Sequence, residues 1–303
     1  MKNKNNLPLY IDPMVDLGFK KIFKDSGKKQ LLIRPINAIF DLDLVDIEIT
    51  ESEHLGQTKE DRKAIFDLIC KSRDGRQFII EVQIARQQYF MERALFYTTF
   101  PIAKSAPKER RKKKKWDYNY PPVFFLGLLN FDIRHLDPKF ADPEQYIHIF
   151  SLRDEKTSEL MTDRLRFAIL EVGRFDKPKE ACHTFEDRFL FMMKNLPTFV
   201  EKPELWDDPY FEELLKEAEL ANMNDRLQMA YLNTLMQKWD YQNTIDYARM
   251  EGREEGREEG REEERLENAR NFKALGVDPA IIAQATGLTE DQIRDLSLSS
   301  RNK

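Results

Sequence analysis

Two acids interrupt otherwise apolar runs: Asp67 within KAIFDLIC (63–70) and Glu81 within FIIEVQI (78–84), where Gln83 follows two residues later. A carboxylate in an apolar strand is costly without a partner, and two on neighbouring strands want a cation between them. Register decides whether they share one. A two-residue turn at Asp74-Gly75 pairs Arg73 with Arg76, puts Asp67 opposite Val82 and sends the acids to opposite faces. A three-residue loop, Arg73 to Gly75 with Gly75 left-handed, pairs Ser72 with Arg76 and sets Asp67 across from Glu81. This second register also brings Gln83 and Lys63 onto the acids' face, while Phe78, Ile80, Val82 and Ile84 turn into a core. The competing reading is structural, with both acids salt-bridged to Arg93 or Lys20.

The elements that must hold these residues follow from periodicity. Val15, Leu17, Phe19, Ile22 and Phe23 have helical spacing, and Leu31 to Phe40 continues as a second helix. Leu44 to Thr50, Lys63 to Cys70 and Phe78 to Ile84 form an antiparallel three-stranded meander. Tyr89 to Ala103 is helical again, and Val123 to Phe131 is a buried strand, giving the order α-β-β-β-α-β. Tyr146 to Leu152 and Arg166 to Val172 are further strands; Lys179 to Asn195 and Pro209 to Trp239 are helices.

The chain has 303 residues, ample for more than one packed unit, and its 21 Phe exclude disorder throughout. Its net charge of −5 does not by itself announce a nucleic-acid binder. Distribution says more. The segment EGREEGREEGREEER (251–265) carries eight Glu and four Arg, leaving the rest nearly neutral, and Lys108 to Lys115 holds seven bases against one acid. Arg110, Arg111, Lys112, Lys113, Lys114 and Lys115, backed by Trp116, Tyr118 and Tyr120, read as a phosphate-gripping loop with stacking aromatics; a merely solvated charge run is the competing reading. The two cysteines support neither a disulfide framework nor a cysteine zinc site, and the four histidines lack metal-ligand spacing. No apolar run approaches the roughly 20 residues that span a bilayer, so a cytoplasmic protein without membrane contact is expected.

From about Met223 one long helix runs into the repeat, where Gly252, Gly256 and Gly260 lie at i, i+4, i+8; each costs about 1 kcal/mol against alanine, so a frayed helical linker is expected. Gly276 stops it, Asp278-Pro279 starts another helix, and Thr289 with Gln292 makes a capping box for a third. This acidic tail suits oligomerisation or docking, and a homo-oligomer joined through the C-terminal helices is expected.

Several motifs together resemble the recombination-promoting nuclease/transposase family of the PD-(D/E)XK nuclease superfamily. They are Asp16-x-x-Phe19-Lys20-x-x-Phe23, Asp61-Arg62 ahead of Asp67, Ile80-Glu81-Val82-Gln83, Arg93-x-x-x-Tyr97, Leu128-Leu129-Asn130-Phe131 and the glycine-repeat helix ending in Ala285-Thr286-Gly287-Leu288-Thr289. The resemblance covers essentially the whole chain. It implies an α/β, restriction-endonuclease-like core, a mixed sheet flanked by helices, at 1–175. An all-α region follows: a helical extension at 176–250, the charged linker helix at 251–265 and a small helical module at 266–303. It further implies a metal-dependent DNA endonuclease linked to recombination or mobile elements, with phage defence as another setting. Mg²⁺, replaceable by Mn²⁺, would be held by Asp67, Glu81 and the carbonyl of Val82. Gln83 stands where the superfamily pattern has lysine, so Lys20 is favoured as the catalytic cation, and Lys20, Arg93 and Tyr97 are expected on DNA. The neutral Gln83 also motivates an alternative: a catalytically inactive nuclease-fold module that binds DNA or protein.

Overall fold

A computed structural model describes residues 8–50, 67–105, 119–133 and 142–297. Contacts divide the chain into a unit of residues 1–235 and another of 236–303.

The first unit is built on a six-stranded mixed sheet of order β1-β2-β3-β4-β6-β5. The strands are β1 (Ile47–Thr50), β2 (Leu68–Ser72), β3 (Gln77–Gln83), β4 (Val123–Leu129), β5 (Ile147–Arg153) and β6 (Leu160–Leu170). β1, β2 and β3 form the antiparallel meander; β3, β4 and β6 run parallel, and β5 returns antiparallel on β6. β4 reads VFFLGLL and is buried at every position, as a central parallel strand covered on both faces must be.

Each face has its own core. Phe78, Ile80, Phe124, Leu126 and Leu128 pack with α2 (Gln30–Phe40), α4 (Phe185–Asn195) and α5 (Pro209–Ala218). On the opposite face Ile79, Val123, Phe125, Leu129 and Ile169 pack with Phe90 and Ala94 of α3 (Phe90–Lys104). The first helix is two short pieces, α1 (Asp16–Lys20) and a π-helical turn at Lys21–Asp25, anchored by Phe19, Ile22 and Phe23. The long helix α6 (Asp225–Ala274) opens in this unit, where the hydroxyl of buried Tyr231 accepts from the Asp12 amide at 2.6 Å.

The second unit comprises the later part of α6 with α7 (Pro279–Thr286) and α8 (Glu290–Asp295), closed over Ala269, Ile282, Leu288 and Ile293. The signals read from sequence appear as expected: Gly276 has φ +75°, Asp278 caps α7, and Thr289 with Gln292 forms the capping box of α8. Arg265 donates to the Thr286 and Gly287 carbonyls, and Lys273 to those of Arg294 and Leu296, satisfying the ends of both short helices. The repeat differs from the expected frayed linker: α6 is continuous helix through Gly252, Gly256 and Gly260. No described helix is long and apolar enough to cross a membrane.

Candidate functional site

The hairpin between β2 and β3 settles the register. Gly75 has φ +92°, the Ser72 amide donates to the Arg76 carbonyl at 2.9 Å, and Leu68 pairs with Ile80. Extending that ladder by one residue sets Asp67 across from Glu81, as the three-residue loop requires. Both acids lie on the α3 face. Glu81 pairs in the parallel ladder with Gly127 of β4, where a Cβ would come within 3.1 Å of Phe90 Cζ and of Ile169 Cδ1. The missing side chain lets Phe90, at the start of α3, sit down beside Glu81's neighbour strand.

Asp67 is the hub of the centre. Its Oδ2 accepts from the Val82 amide at 2.6 Å, so Val82 meets the site through its N–H. Its carboxyl also lies against those of Asp16, on α1, and Glu81. Burial and these like charges push Asp67 up to about 6 and Glu81 up to about 9. Among the described residues, buried Glu81 Oε1 accepts no hydrogen bond. The structural reading, in which Lys20 or Arg93 salt-bridges the strand acids, is not what the described residues form. Lys20 Nζ pairs with Asp16 Oδ1 at 2.6 Å, while Arg93 Nη2 donates to Gln83 Oε1 at 2.7 Å and Nη1 to Gln87 Oε1.

Gln83 is engaged at both ends, since its Nε2 donates to the Ala85 carbonyl at 3.2 Å. The guanidinium of Arg93 lies 5.7 Å from the ring centroids of both Phe90 and Tyr97. Tyr97 leans over the same acids, and burial together with the charges of Glu81 and Asp67 raises its phenol. The centre thus brings together Asp67, Glu81, Val82, Gln83, Arg93 and Tyr97, with Lys20 reaching it through Asp16. Lys63 and the basic residues Arg110, Arg111, Lys112, Lys113, Lys114 and Lys115 lie outside the described residues.

Sequence reasoning left the direction of Asp16 open; spacing within one short helix cannot tell which way a terminal residue points. It missed Gln87 and the pairing of both glutamines with Arg93, for which nothing in the spacing is a signal.

The donor set fits a hard divalent cation. Carboxylate oxygens crowd one another, and one buried oxygen, Glu81 Oε1, has no donor among the described residues. Among the described residues no three His, Cys, Asp or Glu side chains converge in metal-holding geometry.

A profile of the family described as PD-(D/E)XK nuclease family transposase matches residues 13–248. No curated protein and no solved structure matches the chain.

Proposed function

The chain belongs to the PD-(D/E)XK nuclease family transposases, and from that premise we propose that it is a metal-dependent DNA endonuclease acting in recombination or mobile-element biology. The observation that carries this is the facing of Asp67 and buried Glu81 across the β2–β3 hairpin, with no lysine or arginine salt-bridged to either among the described residues. Asp67 and Glu81 would hold Mg²⁺ or Mn²⁺, with the Val82 backbone beside them. When bound, the ion supplies charge that offsets the scissile phosphate and acidifies a nearby water.

The chain's own groups do the rest. The Val82 amide fixes the rotamer of Asp67 by donating to Oδ2. Asp16 adds a third carboxyl at the solvent side of the pair and pins Lys20 at 2.6 Å, so that Lys20 stands at the mouth of the centre to meet a DNA phosphate. α3 closes the opposite side with Arg93 and Tyr97, and the basic run at 110–115 is assigned to the duplex backbone by its charge. A homo-oligomer through the C-terminal helices would let two such centres act on two strands.

Nicking and linearisation of supercoiled plasmid by purified protein tests this. Cleavage is expected with Mg²⁺ or Mn²⁺ and none with EDTA, and Asp67→Ala and Glu81→Ala should each lose at least about 10³-fold in rate. One feature favours a second reading, a module that binds DNA or protein without cutting: Gln83 is neutral and its amide is occupied at both ends. In that case wild type and both variants shift plasmid mobility alike and none cleaves.

A further inference from the structure

Three carboxyls face an incoming phosphodiester here, so where positive charge comes from within the chain decides whether the substrate is tolerated. Lys20 stands at the mouth of the centre with its charge partly offset by Asp16 at 2.6 Å. Gln83 has no charge, and neither end of its amide is free to turn toward a ligand.

Arg93 is different. Its guanidinium is gripped by two neutral acceptors, Gln83 Oε1 at 2.7 Å and Gln87 Oε1, and flanked by the rings of Phe90 and Tyr97. It makes no ion pair among the described residues. Two amide oxygens and two π faces fix its direction with no carboxylate in salt-bridge contact among the described residues, so its charge, which also acts on Glu81, and its remaining N–H donors are available to a ligand. The half-buried Arg174 shows the contrary arrangement: its Nη2 lies 2.6 Å from the Glu171 carboxylate, which offsets its charge.

We propose that Arg93 is the residue that bears on the scissile phosphate's non-bridging oxygen, and that Gln83 and Gln87 are positioning residues that act only through it. This rests on the endonuclease reading. In the hydrolysis, water oxygen forms one new P–O bond and one ester P–O bond breaks; the water's proton passes to solvent and the leaving oxygen takes one from solvent. Arg93 exchanges no proton. It stabilises the negative charge that grows on phosphorus-bound oxygen as the bond forms.

The test is a double-mutant cycle on the full chain, reading single-turnover plasmid cleavage at saturating protein with Mg²⁺, and duplex affinity by fluorescence anisotropy with Ca²⁺. Arg93→Met is expected to slow cleavage by about 10²-fold or more while duplex Kd changes less than about fivefold. Arg93→Lys, which keeps the charge but not the fork, should recover at least about tenfold over Arg93→Met. Gln83→Leu alone should cost about tenfold, and adding it to Arg93→Met should cost nothing further, because a positioning residue has nothing left to position.

Losses that multiply in the double variant would make Gln83 an independent catalytic group and overturn the assignment. So would an Arg93→Met rate within threefold of wild type, or a defect confined to duplex affinity. A wild type that cleaves in neither Mg²⁺ nor Mn²⁺ overturns the endonuclease reading together with it, whereas a cleaving wild type with unimpaired Arg93→Met overturns only the role of Arg93.

Discussion

Glu81 and Glu171 are both buried glutamates beside the same sheet, and the fold treats them in opposite ways. Glu171, one residue past β6, is fully enclosed and saturated with donors. The Ile133 amide donates at 2.6 Å, Arg174 donates through Nε at 2.9 Å and Nη2 at 2.6 Å, and His148 Nε2 lies at 3.1 Å. Those contacts hold its carboxyl below the usual range despite burial. Glu81 faces another acid, one of its oxygens finds no donor among the described residues, and its carboxyl is pushed up to about 9. A fold that can supply four donors to one buried carboxylate withholds them from another. The difference marks Glu171 as a structural knot, tying 133 and the start of β5 to the end of β6, and the Asp67–Glu81 pair as the place where the proposed cation would bind.

The largest effect that would break this contrast concerns Glu171. Glu171→Ala leaves half-buried Arg174 and buried His148 without their carboxylate and the Ile133 amide without its acceptor, and is expected to cost about 3–5 kcal/mol in denaturant unfolding. Cleavage by the protein that remains folded should stay within about twofold of wild type. A severe cleavage defect in folded Glu171→Ala would erase the distinction between knot and site.

pH sharpens the comparison, because the two regions titrate with opposite sign. Asp67 and Glu81 have folded values raised from 3.8 and 4.5 to about 6 and about 9. Their contribution to stability is therefore complete below the unfolded values and lost as pH rises through the folded ones. Glu171 is lowered, so its contribution is present above the unfolded value and lost as pH falls. In metal-free protein the melting temperature should fall as pH rises from about 5 to 9, and Glu81→Gln should flatten most of that fall. Mn²⁺ should restore more stability at the alkaline end than at the acid end, because it binds the deprotonated pair. An unchanged slope in Glu81→Gln would count against the crowded-carboxylate account.

The smallest effect lies in the turn that sets the register. Gly75 sits at φ +92° with nothing within 4 Å of where a Cβ would be, so Gly75→Ala meets backbone strain alone. About 1 kcal/mol of destabilisation is expected, with metal-dependent cleavage kept, because the Ser72–Arg76 pairing survives. A cleavage loss out of proportion to the stability loss would indicate that the register had slipped.

The alternation in Leu44 to Thr50, the all-apolar β4 and the caps at Asp278 and Thr289 were legible in sequence because each is a local pattern with one physical solution. The chain likewise carried the identity of the two acids and the resemblance that assigns them a metal. It left two registers open, since Asp74-Gly75 serves either turn. The long helix running into the glycine repeat was also legible, although glycine propensity alone suggested fraying there; helical order through such a segment follows from its neighbours rather than from the glycines themselves.

Sequence alone therefore determined which residue types could do chemistry here and on which elements they ride. Tertiary structure decided which of them meet. A one-residue choice in a hairpin put Asp67 and Glu81 on one face, and the approach of α1 brought Asp16 to them. The packing of α3 over Gly127 delivered Arg93 to the glutamines of β3 and its following loop. Such meetings join residues distant in the chain, and local spacing cannot encode them: they are fixed by how helices seat on a sheet.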